Sequence, residues 1–137
     1  YHKPIESLDE LQSAVKTSKI VVLGGLIPGQ STASVVLESA EALGVEDVIY
    51  LSAVDHVYDK DPVKYSDAKM FTEIKASTLI DMLKQEILPG EYALIDVRAL
   101  ELAIRSKIKI HLAHYRDPRN IVRIINGENP GTIIYPD

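Results

Sequence analysis

Apolar and polar positions alternate along this chain with two periods, and the order in which the periods appear predicts its elements. Leu8, Leu11 and Val15 recur at helical spacing behind Ser7 and Glu10, which are set three apart as in a capping box, so a first helix is predicted from Leu8 to Lys16. Ile20 to Leu23 is an unbroken apolar run that reads as a buried strand. A glycine-rich loop from Gly24 to Thr32 then opens a second helix ending at Leu43-Gly44, and Val48 to Leu51 reads as the next strand. Ile20 to Leu51 is therefore expected to be a β-loop-α-β unit with a right-handed crossover and parallel strands.

Lys69 to Ile74 is predicted as a short strand, and Ser77 to Lys84 as an amphipathic helix with Leu79, Ile80 and Leu83 inward. Glu86 to Tyr92 contains Pro89-Gly90 and reads as a loop. Asp96 is placed to cap a helix from Val97 to Arg105, Ile108 to Leu112 returns as a strand, and Asp117-Pro118 starts a last helix that Gly127 stops. Thr132 to Tyr135 closes the chain as a strand. Helices and strands alternate throughout, which predicts the α/β class with a mainly parallel central sheet, in one domain spanning residues 1–137.

Composition narrows the function classes. A hydrophobic share of 46% and a charged share of 26% are those of an ordinary globular protein, and no apolar run approaches the roughly 18 residues that would span a bilayer. A net charge of -5 with no tryptophan argues against a dedicated nucleic-acid surface, which needs clustered Lys and Arg. The absence of cysteine excludes disulfides and thiolate metal sites and fits a cytoplasmic protein. The chain opens at Tyr1 rather than Met, so a longer parent polypeptide is expected.

Two loops carry the candidate chemistry. Gly24 to Thr32 has the makings of an anion site: glycines admit close backbone approach, and Ser31 and Thr32 add hydroxyls at a helix N-terminus, whose dipole favours negative charge. The plain alternative is a tight strand-to-helix turn with a serine cap. Val54 to Pro62, reading Val-Asp-His-Val-Tyr-Asp-Lys-Asp-Pro, follows a strand at the sheet edge where ligands of open α/β folds sit. Asp55, Asp59 and Asp61 could hold Mg²⁺, contact ribose hydroxyls or solvate a turn; Tyr58 could stack on a base or fill a gap at the sheet edge. Lys60 could meet a phosphate or simply be solvated. His111 and His114 are three apart beside a strand, where alternation sends them to opposite faces, so no metal site is expected there.

Taken together, Gly24-Gly25 with Pro28-Gly29-Gln30-Ser31-Thr32, the Val54 to Pro62 signature, Tyr65-Ser66-Asp67-Ala68-Lys69, Tyr92 to Asp96, Arg105 to Ile108 and the closing Gly131-Thr132-Ile133-Ile134 resemble the amino acid kinase family, and within it the archaeal UMP kinases. The resemblance spans nearly the whole chain but only the C-terminal portion of the family's fold. It implies a three-layer α/β/α sandwich that transfers the γ-phosphoryl group of ATP to UMP with Mg²⁺. Pro28, Gly29, Gln30, Ser31 and Thr32 would form the UMP-binding loop, and Ser52, Tyr58 and Asp61 would contact ATP. It further implies that the catalytic residues and part of the UMP pocket lie in an N-terminal half that would be this chain's partner, in a hexamer built from dimers. Three positions depart from the family pattern: His56 replaces a glycine, Ala53 an asparagine and Ile27 a polar residue. A glycine at position 56 would suggest positive φ or close backbone approach. Two other readings fit the same residues: a non-catalytic nucleotide-binding or regulatory domain, and a related kinase of another small phosphate or carboxylate acceptor.

Overall fold

The computed structural model describes residues 3–85 and 95–137. The loop expected from Glu86 to Tyr92 lies outside them. In chain order the elements are α1 (Leu8–Thr17), α2 (Thr32–Leu43), β1 (Asp47–Ser52), β2 (Val57–Tyr58), β3 (Met70–Phe71), β4 (Glu73–Lys75), α3 (Ala76–Lys84), α4 (Val97–Ser106), β5 (Lys109–His114), α5 (Arg119–Ile125) and β6 (Thr132–Tyr135).

Local chemistry accounts for the helix ends. The Ser7 hydroxyl accepts from the Glu10 amide at 3.2 Å while the Glu10 carboxylate reaches back to the Glu6 amide at 2.8 Å, so α1 starts on reciprocal side-chain caps. Gly44 ends α2 in the left-handed region at φ 66°, where a glycine carries no Cβ penalty. Lys107 ends α4 at φ 57°, an uncommon conformation for a residue with a side chain. Pro118 stands at the N-cap of α5, one position before the first helical residue, and the Asp117 carboxylate accepts from the Arg119 amide at 3.1 Å.

The main sheet runs in the order β1-β5-β6-β4. β1 pairs with β5 in parallel from Asp47↔Lys109 to Ser52↔His114, β4 pairs with β6 in parallel, and β5 meets β6 antiparallel. A separate antiparallel ribbon joins β2 to β3. The expected strand from Lys69 to Ile74 is thus divided at Thr72 into β3, which serves the ribbon, and β4, which serves the sheet. One face of the sheet presents Val48, Ile110, Leu112, Ile134 and Ile74, which form a single buried cluster with Leu37, Leu79, Leu100 and Ala103 of α2, α3 and α4. The alternate positions face away from that cluster, and α5 packs on β5 with Ile124 buried outside it. Helices, sheet and the short α5 make the α/β/α layering, with a mainly parallel sheet.

Ile20 to Leu23 is not a strand. Val21 and Leu23 pack on Ile5, Leu11 and Ala14, while Ile20 and Val22 are 84% and 83% exposed. The alternation is that of a strand, but among the described residues no neighbour supplies a ladder, and extended backbone becomes a strand only through inter-strand hydrogen bonds. The expected parallel pairing of this segment with β1 is absent for the same reason, and β1 stands at the sheet edge.

Candidate functional site

Topology brings both candidate loops to one edge. Short turns at Gly44 and Lys107 connect α2 to β1 and α4 to β5, so each helix runs back along the strand that follows it and begins over that strand's carboxyl end. β1 and β5 are parallel, so the N-termini of α2 and α4 converge at the edge where the Val54 to Pro62 loop leaves β1.

Asp96 joins the two helix starts. Its carboxylate accepts from the Ala99 amide at 2.9 Å, capping α4, and takes the Ser31 hydroxyl in a short hydrogen bond; the Ser34 hydroxyl stands 3.5 Å away. Ser31 in turn caps α2, its Oγ accepting from the Ser34 amide at 3.0 Å. The Asp96 charge also bears on β1: burial first, and this carboxylate second, push the Tyr50 phenol above its ordinary value.

In front of this junction lies a cleft of about 450 Å³ walled by Ile27, Pro28, Gly29, Gln30 and Ser31 on one side and by Asp96 and Arg98 on the other, with Ser34 and Glu38 completing it. Gly29 sits at φ 82°, so the loop's bend requires a glycine there. Gln30 donates from Nε2 to Glu38 at 2.5 Å, and its Oε1 is buried without a hydrogen-bond partner among the described residues. Arg98 brings the positive charge to the lining, against the carboxylates of Glu38 and Asp96. An anion entering the cleft would meet the α2 dipole and the Arg98 guanidinium together.

The glycine-rich stretch does not act as one cradle. Gly24, Gly25 and Thr32 line a second, more apolar cleft of about 390 Å³ with Leu23, Val35, Val36 and Ser39, and Gln30 stands between the two clefts. Of the five residues expected to hold UMP, Pro28, Gly29, Gln30 and Ser31 therefore share the first cleft and Thr32 turns to the second.

The loop after β1 is built as a hairpin whose base is the β2–β3 ribbon. Asp59 closes it twice, its amide donating to the Lys69 carbonyl at 3.0 Å and its carboxylate accepting from the Lys69 amide at 2.8 Å. Lys60 pairs with Asp67 at 2.6 Å and lies 5.5 Å from the Tyr65 ring centroid, so it is engaged inside the loop. Asp61 is buried, accepting from the Val63 amide at 2.9 Å, and orders the turn at Asp61-Pro62. Tyr58 directs its hydroxyl to Asp55 at 3.2 Å, and burial, followed by that carboxylate, raises its phenol above the ordinary value. Burial raises the Asp55 carboxyl, but contacts with His56, its own backbone and Tyr58 outweigh it and hold the group below the usual range. Ser52, at the end of β1, is half-buried, with its Oγ 3.5 Å from the Val54 amide.

His56 has no left-handed backbone: among the described residues with side chains, positive φ occurs at Lys107. Its Nδ1 lies 3.2 Å from Asp55 Oδ2 and its ring meets Tyr58 edge-on with centroids 6.4 Å apart. The histidine is thus accommodated without backbone strain. His111 of β5 reaches across to Asp47 of β1 at 2.7 Å, and His114 accepts from the Arg116 amide at 3.0 Å just past its own strand. No group of three or more His, Asp or Glu among the described residues is arranged to hold a metal ion.

Sequence reasoning had identified Asp96 only as a helix cap and passed over Ser34, Glu38 and Arg98. Asp96 reaches Ser31 across 65 residues of chain, a distance at which spacing carries no signal.

Comparison with known proteins places this geometry. The chain is 59% identical over 136 residues to the uridylate kinase of Staphylothermus marinus, covering 99% of this chain and 61% of that protein. It is 38% identical to the uridylate kinase of Sulfurisphaera tokodaii, over 99% of this chain and 61% of that one. The crystal structure of uridylate kinase from Archaeoglobus fulgidus superposes with a TM-score of 0.85 at 28% identity, over 98% of this chain and 60% of the other. The chain therefore spans about 60% of the length of the relatives it matches. Residues 3–114 match the profile of the amino acid kinase family, and the chain belongs to that family.

Proposed function

We propose that this chain is the C-terminal nucleotide-binding part of a UMP kinase, which transfers the γ-phosphoryl group of ATP to UMP. The observation that carries the reading is the 59% identity to a uridylate kinase across 136 residues, a match that includes both loops at the β1 edge. The cleft before Ser31 is the acceptor site: Pro28, Gly29, Gln30 and Ser31 wall it, Thr32 begins the helix behind it, and the dipole of α2 favours the UMP phosphate. The hairpin after β1 is the donor site, with Ser52, Tyr58 and Asp61 on the ATP side. Tyr58 offers a ring to the nucleotide while its hydroxyl is held by Asp55. Asp61 acts by shaping the turn, one carboxylate oxygen accepting from the Val63 amide and the other lying 3.9 Å from Lys64 Nζ.

Phosphoryl transfer is mainly positioning and charge stabilisation, and this chain supplies the positioning. Mg²⁺ would neutralise charge on the phosphates. With no cluster of three ligating side chains among the described residues, the ion would be held chiefly by phosphate oxygens, and no step is assigned to a protein-held metal. The remaining catalytic groups would come from an N-terminal portion of a longer polypeptide, with a hexamer as the expected assembly. The reading is tested by incubating the full-length polypeptide with UMP, ATP and Mg²⁺: UDP should form, and binding of both nucleotides without UDP would favour a non-catalytic nucleotide-binding domain. The 137-residue chain alone should bind ATP at most and show no turnover.

A further inference from the structure

The donor hairpin has a weak base. β2 and β3 contribute two residues each, and a two-stranded ribbon of that length does not hold itself together in water. What fixes it is the start of β6. Thr132, fully buried, accepts at Oγ1 from the Val57 amide of β2 at 2.9 Å and donates from the same hydroxyl to the Phe71 carbonyl of β3 at 2.5 Å. One hydroxyl thereby bridges both strands of the ribbon to the main sheet. Next to it, the Thr72 carbonyl accepts from the Ile133 amide at 2.9 Å and from Asn129 Nδ2 at 3.0 Å, which pins the point where β3 gives way to β4. Gly131 presses against the same loop: a Cβ there would stand 2.8 Å from the Asp55 carbonyl oxygen.

We propose that Thr132 is a positioning residue for the donor site, its hydroxyl setting the pose of the Val54 to Pro62 loop and hence the affinity for ATP. This rests on the assignment of that loop to ATP. Thr132 lies at the ribbon's base and belongs to none of the residues walling the acceptor cleft, so its effect is specific to the donor. Valine has nearly the shape of threonine without the hydroxyl, so Thr132→Val removes both side-chain bonds that tie the ribbon to β6 with little change in packing. Loss of these two buried hydrogen bonds corresponds to about a tenfold effect.

The test is calorimetric titration of the full-length polypeptide with Mg·ATP and, separately, with UMP, together with hydrogen exchange at the Val57 amide. Thr132→Val should weaken ATP about tenfold, leave UMP within about twofold and speed Val57 exchange, while Thr132→Ser, which keeps the hydroxyl, should restore all three. Unchanged ATP affinity in Thr132→Val, or equal loss of both ligands, would overturn the proposal while leaving the kinase reading intact. A wild-type polypeptide that binds no ATP would overturn the nucleotide reading itself. If Thr132→Val does not fold, Asn129→Ala leaves the Thr132 hydroxyl in place and removes the outer bond to Thr72 together with the bond from the Gly131 amide; it should weaken ATP by about threefold with UMP unchanged, and no difference from wild type would count against the proposal.

Discussion

The Asp96–Ser31 junction can be dissected by a double-mutant cycle. Asp96→Ala removes the N-cap of α4, a loss of about 1 kcal/mol, and the acceptor of the Ser31 hydroxyl, whose bond to a charged group is worth about 1.5 kcal/mol at the low end, appropriate to its half-exposed place. The Ser34 hydroxyl at 3.5 Å adds little. The single variant should therefore lose roughly 2–3 kcal/mol. Ser31→Ala removes the cap of α2 and the donor to Asp96, and by the same reckoning should cost roughly 2–3 kcal/mol. If the two side chains hold the helix starts together, the double variant costs less than the sum, with a coupling of about 1 kcal/mol. Urea unfolding of the four proteins measures this, with Asp96→Asn as the variant that keeps a cap but loses the charge. A coupling below about 0.3 kcal/mol would show that Ser31 and Asp96 act independently, and the cleft would then lack the brace described above.

Three other perturbations have defined outcomes. Gly131→Ala places a methyl 2.0 Å from the Leu112 carbonyl oxygen as well as against Asp55, both backbone atoms, so about 3 kcal/mol and a drop of roughly 10 °C in Tm are expected by thermal circular dichroism; a Tm within about 2 °C of wild type would contradict that packing. His111, opposed by burial and aided by Lys109, holds the Asp47 carboxyl below its unfolded value of 3.8, so its stabilisation is present above that pH and is lost as pH falls through the folded value. Asp47→Asn should accordingly be less stable than wild type near pH 7, with the gap narrowing as pH falls below 3.8 in denaturant titrations, and a gap independent of pH would exclude this linkage. His56→Gly should leave or improve ATP affinity, since the histidine occupies ordinary backbone space; a marked loss by calorimetry would show that the imidazole has a role of its own.

The elements that could be read from the sequence are those whose signals are local. Ser7 with Glu10, Asp96 before Val97 and Leu43-Gly44 mark helix ends by short-range hydrogen bonds and backbone freedom, and each stands where expected. Ile20 to Leu23 has equally good strand chemistry, but a strand is completed by a neighbour, and among the described residues none pairs with it. The site shows the same division. Pro28 to Ser31 and the Val54 to Pro62 loop announce themselves as contiguous motifs. The side chains that position them, Asp96 for the first and Thr132 for the second, act across 65 and 75 residues and look in the sequence like an ordinary cap and an ordinary strand residue. Arg98 was invisible for a related reason: it lies in the first turn of α4, and only the convergence of two helix starts brings it to the Pro28 to Ser31 wall.

The central claim is that the two loops at the β1 edge are separate acceptor and donor sites. A crystal structure of the full-length polypeptide with UMP and a non-hydrolysable ATP analogue tests it most directly. The UMP phosphate should lie in the cleft between Pro28–Ser31 and Arg98, with the ATP analogue against Ser52, Tyr58 and the Asp61 turn. UMP bound away from that cleft, or the analogue bound away from the hairpin, would contradict the assignment.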